Sequence, residues 1–184
     1  VQDEGSQLLG YLLEPKRGEM VVDFCAGAGG KTLLLGALMK NTGRLYAYDV
    51  SDKRLARLKP RLARSGLSNV HPARIEHERD TKIKRLAGKV DRVLVDAPCS
   101  GLGTLRRNPD LKWRQSEDSV AELTVKQAAI LDAAAKLVRP GGRFLQLPFE
   151  AEQVLEELVA PQRRRLRPGD LDAARDRVLA DAGA

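Results

Sequence analysis

Short apolar runs alternate with amphipathic stretches along most of the chain, and this alternation predicts strands separated by helices. Four runs have the length and the β-branched or aromatic content of buried strands. They are MVVDF at 20–24, RLYAYDV at 44–50, VDRVLVDA at 90–97 and RFLQL at 143–147. A fifth, weaker strand is predicted over NVHPARI at 69–75.

The intervening stretches have the spacing of helices. Apolar residues recur at helical intervals in GSQLLGYLL, which ends before Pro15, and KTLLLGALMKNTG predicts a helix closed by Gly43. In SDKRLARLKPRLARSG, three leucines share one face, and Pro60 is expected to kink or interrupt the helix. The other faces carry Lys53, Arg54, Arg57, Lys59, Arg61 and Arg64. TKIKRLAG predicts a short helix or loop, and SVAELTVKQAAILDAAAKLV a long helix followed by the turn RPGG.

Repeated strand, crossover and strand predict an α/β fold with a mostly parallel, doubly wound sheet and helices on both faces. The length of 184 residues fits one domain over 1–184. The tail predicts a helix at 150–159 but no strand after it, so the sheet is expected to be unfinished at one edge. The chain begins at Val1 rather than methionine, and we interpret it as part of a longer polypeptide.

Composition adds a basic balance, with a net charge of +7 and an isoelectric point near 9.6. Charge alone leaves two interpretations open, a polyanionic partner or a well-solvated basic surface. Two cysteines in predicted loops favour a reducing compartment, so we expect a cytoplasmic protein. No apolar run approaches the ~20 residues of a membrane span, and no leader is evident, so no membrane partner is expected.

The loop DFCAGAGGKT, residues 23–32, predicts a cofactor site. Glycines directly after a buried strand allow a sharp turn, and the next helix points its first amides at the same place. Asp49 ends the second strand about 20 residues later, where an acid typically accepts hydrogen bonds from a ribose. We therefore predict an adenosine-bearing cofactor, and not ATP, because Gly27 to Lys31 is too short to wrap a triphosphate.

Four segments resemble the RsmB/NOL1/NOP2/Sun family of S-adenosylmethionine-dependent RNA cytosine methyltransferases. They are DFCAGAGGKT, YAYDV with Arg54 beyond it, VDRVLVDAPCSGLGTLRRNPDLKW and LVRPGGRFL. The resemblance spans about residues 2 to 145. It implies a Rossmann-like class I methyltransferase domain, S-adenosylmethionine as cofactor and formation of 5-methylcytosine in rRNA or tRNA.

By family role, the resemblance assigns the methionine part of the cofactor to Cys25, Ala26, Gly27, Ala28, Gly29, Gly30 and Lys31. It places the ribose at Asp49, with support from Arg54, and the adenine region at Asp80. Asp96 is expected to border the cofactor as well as the target base.

The segment GTLRRNPDLKWRQ mixes cations with one large aromatic, which is typical of sites for single-stranded or looped RNA. The candidate RNA-binding residues are Arg106, Arg107, Lys112, Trp113 and Arg114. Trp113 is equally interpretable as a partly buried anchor. The basic segment disfavours a small-molecule or protein substrate.

The chemistry focuses on Asp96 and Cys99. Carbon 5 of cytosine is a weak nucleophile, and addition of a thiolate to carbon 6 of an extruded base activates it. Asp96 is placed to hydrogen-bond the base, and Cys99 lies three residues later. A buried structural cysteine is the alternative interpretation. In the resembled family a second cysteine, after the strand that follows PGG, is the nucleophile, and the cysteine at this position assists product release.

That second cysteine is absent, since the sequence passes from Gln146 directly to LPFEAEQV. We favour a missing segment between residues 146 and 147 that carries the nucleophile. Two other interpretations stay open. The segment is truly deleted, and the domain binds cofactor and RNA without catalysis and acts in RNA or ribosome assembly. Alternatively Cys99 is itself the nucleophile, as the cysteine after proline is in DNA cytosine methyltransferases. We expect a monomer that uses no metal.

Overall fold

Five parallel strands form one sheet at the centre of the computed structural model, which describes residues 2, 4–101, 108–110, 113 and 116–146. The strands are β1 Met20–Asp23, β2 Arg44–Asp49, β3 Val70–Arg74, β4 Val90–Val95 and β5 Val138–Gln146. Their order across the sheet is β3-β2-β1-β4-β5, and every neighbouring pair is parallel. The predicted strands, including the weak one at NVHPARI, are confirmed.

Helices connect the strands and cover both faces of the sheet. They are α1 Glu4–Leu13, α2 Gly30–Leu38, α3 Asp52–Ser65, α4 Thr81–Lys84 and α5 Glu117–Ala135. One apolar cluster packs the sheet against α4 and α5, and the other packs it against α1, α2 and α3. The doubly wound α/β fold is therefore confirmed.

The helix α2 ends at Leu38, earlier than the predicted stop at Gly43. Lys40 and Asn41 both have positive φ angles, which turn the chain out of the helix. The Asn41 side-chain oxygen accepts the backbone N–H of Ser68 at 2.8 Å, which stabilises this turn.

Of the two outcomes expected at Pro60, a kink or an interruption, the interruption is wrong, because α3 runs continuously from Asp52 to Ser65. Proline removes one intrahelical hydrogen bond and leaves the Ala56 carbonyl free. Both residues are exposed, which leaves that carbonyl open to solvent. Leu55 and Leu58 are buried on the opposite face and hold the helix against the sheet.

The predicted turn RPGG was also wrong, since residues 139–142 belong to β5. Val138 pairs with Val90, and Arg143 pairs with Arg92. Between these pairs β5 has four residues where β4 has one, so the extra residues form an irregularity within the strand. Gly141 permits it with a φ of 77°.

A group of ion pairs and hydrogen bonds at the amino edge of the sheet connects β4 to β5 and to the chain before β1. Arg92 is buried, and its guanidinium donates to both Glu19 carboxylate oxygens at 2.6 and 3.1 Å and to the Leu13 carbonyl at 2.7 Å. Asp91 accepts hydrogen bonds from the Met20 backbone at 2.7 Å and from Arg139 at 2.5 Å.

The described residues all fall in one compact unit, residues 1–149. The single domain over 1–184 stays a prediction, because residues 147–184, with the helix predicted at 150–159, lie outside the described residues. Among the described residues no helix has the length and apolar character needed to cross a membrane.

Candidate functional site

The glycine-rich loop follows β1 and begins α2 at the carboxyl edge of the sheet. Gly29 is the N-terminal cap of α2, with a φ of 85°, and a Cβ added there would lie 2.1 Å from the Leu58 Cδ1. Only glycine therefore allows the loop to pass this close to α3. The first amides of α2 then point toward the space above the loop.

Asp49 ends the neighbouring strand β2 and connects the loop to α3. Its Oδ2 accepts the Gly27 N–H at 2.8 Å, and its Oδ1 accepts the Ser51 N–H at 2.7 Å and the Arg54 Nε–H at 3.1 Å. The carboxylate is 4% exposed. Asp49 is thus fixed in orientation, and Arg54 supplies the opposite charge.

A cavity of about 620 Å³ lies beside Asp49, within the range of ordinary small-molecule sites. Five of the predicted cofactor residues line it: Cys25, Gly27, Asp49, Arg54 and Asp96. Sequence reasoning missed the remaining walls, which are Phe24, Val50, Ile75, Glu76, His77, Glu78, Pro98, Lys126 and Ile130.

Asp80 is not one of these lining residues. Its carboxylate accepts the Lys82 N–H at 2.9 Å and the Glu76 N–H at 3.0 Å, and these two backbone hydrogen bonds hold the pKa of Asp80 below its ordinary value. Asp80 therefore fixes the loop that carries Glu76, His77 and Glu78 to the cavity. Its direct contact with adenine stays a prediction.

A second cavity of about 230 Å³ lies against the glycine-rich loop and shares Cys25, Gly27 and Asp96 with the first. Its walls are Gln2, Ser6, Asp23, Cys25, Ala26, Gly27, Ala28, Gly30, Lys31 and Asp96. Two buried polar atoms among them have no hydrogen-bond partner, the acceptor Oδ1 of Asp23 and the donor Nε2 of Gln2. Such orphaned buried groups are costly unless a ligand satisfies them.

Asp23 is 1% exposed at the end of β1, and its Oδ2 accepts the Thr32 hydroxyl at 2.6 Å. Burial raises the pKa of Asp23 to about 6, although the Thr32 hydrogen bond opposes the shift. Gln2 reaches the site because α1 packs on α2, and no sequence signal connects it with a loop more than 20 residues away.

An ion pair joins the two motifs that the sequence singled out. The Lys31 Nζ donates to the Asp96 Oδ2 at 2.5 Å, between the loop after β1 and the loop after β4. Asp96 lines both cavities, so this pair lies between them. The resemblance assigned Lys31 to the cofactor, and this assignment stays a prediction; in the structure the Lys31 ammonium contacts the Asp96 carboxylate.

The two cysteines differ in their surroundings. Burial, followed by the charge of Asp23, raises the pKa of the Cys25 thiol to about 12. Cys99 is exposed in the loop after β4, so the alternative of a buried structural cysteine was wrong. The Gln127 side chain donates to the Pro98 carbonyl at 2.8 Å and anchors this loop to α5.

Most of the predicted RNA-binding segment lies outside the described residues, including Arg106, Arg107, Lys112 and Arg114. Trp113 is described and is 81% exposed. Leu147 also lies outside, so the junction with Gln146 stays a prediction. No group of three or more histidine, cysteine or acidic residues in the described part of the chain is arranged to hold a metal ion.

Comparison with known proteins shows which family this chain is similar to. A model of the family described as 16S rRNA methyltransferase RsmB/F matches residues 10–159. The chain is 42% identical over 166 residues to the probable ribosomal RNA small subunit methyltransferase B of Synechocystis, covering 86% of this chain and 36% of that protein. The chain thus spans about a third of the length of the curated relatives it matches.

Two solved structures are similar over most of the chain. The crystal structure of PH0851 has a TM-score of 0.81 and 41% identity, covering 87% of this chain and 37% of that one. The structure of NSun6 from Pyrococcus horikoshii with SFG has a TM-score of 0.73 and 29% identity, covering 89% and 41%.

Proposed function

The chain belongs to the 16S rRNA methyltransferase RsmB/F family, and we propose that it transfers a methyl group from S-adenosylmethionine to carbon 5 of cytosine in RNA, through a cysteine-linked adduct. The observation that carries the proposal is the Lys31–Asp96 ion pair. This pair joins the glycine-rich loop at 23–32 to the loop at 96–99, at the carboxyl edge of the sheet and beside both cavities.

The residues present fit S-adenosylmethionine. Its amino-acid end carries one ammonium and one carboxylate, and the smaller cavity offers an unsatisfied acceptor on Asp23 and an unsatisfied donor on Gln2. Asp49 Oδ2 accepts one hydrogen bond, from Gly27, whereas a carboxylate oxygen can accept two. Asp49 can therefore also accept a ribose hydroxyl, while Arg54 holds its orientation.

When bound, this cofactor supplies an electrophilic methyl group. The chain must make carbon 5 of cytosine nucleophilic, and a thiolate does so by forming a bond to carbon 6, which moves electron density to carbon 5. Once carbon 5 carries the methyl group, a base takes its proton, the freed electron pair restores the bond between carbons 5 and 6, and the thiolate leaves carbon 6. Asp96 Oδ2 is occupied by Lys31, which leaves Oδ1 to accept a hydrogen bond from the protonated ring or the amino group of the base.

Of the two cysteines in the sequence, Cys99 is the better candidate for a part in this reaction, whereas the attacking thiol is expected in the segment predicted to be missing after Gln146. The Cys25 thiol, with its pKa near 12, stays protonated at neutral pH and is a poor nucleophile. We assign Cys99 the accessory role in product release that the resemblance implies.

The proposal is tested by incubating the intact protein with methyl-labelled S-adenosylmethionine and bulk RNA. Digestion to nucleosides should yield labelled 5-methylcytosine. Label in a different nucleoside, or in protein, would overturn the assignment of substrate.

Cysteine variants separate the roles of the two thiols. If Cys99 assists release, Cys99→Ser should accumulate a covalent protein–RNA adduct that resists denaturing electrophoresis, because the attacking thiol is elsewhere. Loss of the adduct in Cys99→Ser would make Cys99 the nucleophile. Cys25→Ser tests the other thiol and should still form and release the adduct, because a thiol held protonated is a poor nucleophile. Since Cys25 lines both cavities, this variant is compared with the parent at saturating S-adenosylmethionine.

A catalytically silent cofactor- and RNA-binding domain is the second candidate, favoured by the absence of any cysteine after Cys99. It predicts tight binding of S-adenosylmethionine by calorimetry together with neither adduct nor methylated nucleoside in the intact protein.

A further inference from the structure

The outer surface of α3 carries a dense group of positive charges. We call it the α3 cationic face, and it consists of Lys53, Arg54, Arg57, Lys59, Arg61 and Arg64. Residues 52–65 hold these six cations and one acid, a net charge of +5, against +7 for the whole sequence. All six residues are exposed, so this helix presents a strongly positive surface to solvent.

Internal ion pairs leave most of this charge unbalanced. Lys53, Arg57, Lys59 and Arg64 make no salt bridge to any acidic residue in the described part of the chain. The acid Asp52 pairs with Arg74 from β3 at 3.5 Å. Like charges spaced four residues apart repel and cost a helix a few tenths of a kcal/mol per pair, so folding alone does not favour this arrangement.

The α3 cationic face borders the candidate site along one flank. Arg54 contacts Asp49 at 2.9 Å and lines the larger cavity. Arg61 donates to the Ala28 carbonyl at 2.9 Å, and Ala28 lines the smaller cavity. Since β2 and β4 lie on either side of β1, their ends are about 10 Å apart, and a polynucleotide with a base at Asp96 can reach α3.

We propose that the α3 cationic face binds backbone phosphates of the RNA next to the target nucleotide; this inference rests on the proposed function. With a rise of about 1.5 Å per residue, Lys53, Arg57 and Arg64 form a row about 16 Å long on the outermost side of α3. Arginine pairs with phosphate through two parallel hydrogen bonds. Such contacts position the RNA and strengthen binding without reading its sequence.

The test removes three charges that touch neither cavity, in the variant Lys53→Gln/Arg57→Gln/Arg64→Gln of the intact protein. The matched control, Arg17→Gln/Lys84→Gln/Arg85→Gln, removes the same charge from other exposed positions. Fluorescence anisotropy with a labelled fragment of small-subunit rRNA is measured over a series of salt concentrations. Each lost phosphate contact lowers the slope of log affinity against log salt by about 0.7 to 0.9.

The α3 variant should therefore show a slope shallower by about 2 and an affinity weaker by about ten-fold or more at ~0.1 M salt. The control variant should bind within about two-fold of the parent, as expected for exposed charges off the RNA path. Unchanged affinity for S-adenosylmethionine in the α3 variant shows that the fold is intact.

An α3 variant that binds RNA with the parent's slope overturns the inference. So does one that keeps RNA affinity but loses sedimentation with phosphatidylserine vesicles, which would make α3 a membrane-binding surface. A parent protein that binds RNA with a steep salt dependence but forms no methylated nucleoside would refute the proposed function alone. A parent that methylates RNA while the α3 variant binds normally would refute this inference alone.

Discussion

Replacing Asp23 by asparagine should stabilise the protein at alkaline pH and leave it unchanged in acid. Burial raises the pKa of this carboxyl from its ordinary 3.8 to about 6, a difference that corresponds to about 3 kcal/mol. Between these values the native state binds more protons than the unfolded state, so Asp23 costs stability progressively as the pH rises from about 4 to above 6. Asparagine cannot ionise, and its amide oxygen can still accept the Thr32 hydroxyl.

The free energy of unfolding, measured by urea titration and circular dichroism, should rise by up to about 3 kcal/mol in Asp23→Asn at pH 8. At pH 4 the two proteins should agree closely. Asp132→Asn is a matched control, because Asp132 is half-exposed in an ion pair with Lys136 and should change the free energy by less than about 1 kcal/mol at both pH values. An equal effect of Asp23→Asn at the two pH values would refute the reasoning.

The same substitution should weaken the proposed cofactor site. An amide in place of the carboxylate removes the negative charge assigned to the cofactor's ammonium group, and hydrogen bonds to charged groups contribute about 1.5 to 3 kcal/mol. Calorimetry at pH 8 should therefore show binding of S-adenosylmethionine weaker by about ten-fold or more. If the variant is more stable but binds S-adenosylmethionine as tightly as the parent, Asp23 is not part of the proposed cofactor site.

Two further predictions concern stability and use the same urea titration. Gly29→Ala should lower the free energy of unfolding by about 2 to 5 kcal/mol, because it adds left-handed backbone strain and an overlap with Leu58. Gly27→Ala, whose added Cβ meets no atom within 4 Å, should lower it by only about 1 kcal/mol. Equal losses in the two variants would contradict the close approach of Gly29 to α3. Glu19→Ala should cost about 3 kcal/mol or more, because it leaves the buried guanidinium of Arg92 without its carboxylate, and a loss below about 1 kcal/mol would make that pair energetically neutral.

The fold could be predicted from the sequence because its signals are local. Each strand is a short apolar run, and each helix shows its own periodicity, so the order of elements needed no knowledge of distant contacts. The local errors arise where distant contacts override a local preference. Leu55 and Leu58 hold α3 against the sheet and keep it helical through Pro60, and pairing with β4 on both sides of RPGG keeps that stretch within β5. The hydrogen bond from Ser68 to Asn41 stabilises the turn that ends α2 before Gly43.

The candidate site was predictable only in part, because it depends on contacts between distant residues. The glycine loop, Asp49 and Asp96 were identified from position relative to strands. The Lys31–Asp96 pair joins residues 65 positions apart, and it forms only because β1 and β4 are neighbours in the sheet. Gln2 lines the smaller cavity because α1 packs on α2. This contact between two helices cannot be predicted from the spacing of residues along the chain.

The ion pairs at the amino edge of the sheet stabilise the domain at the end opposite the proposed site. Glu19, Arg92 and Asp91 lie at one end of the central strands, and Asp23, Asp49 and Asp96 lie at or just beyond the other. Substitutions at the first end can therefore change the melting temperature without touching the residues that we assign to the cofactor and the base. In laboratory evolution of a new specificity, stabilising substitutions at this end can be introduced first. They offset the loss of stability that new binding contacts usually cause.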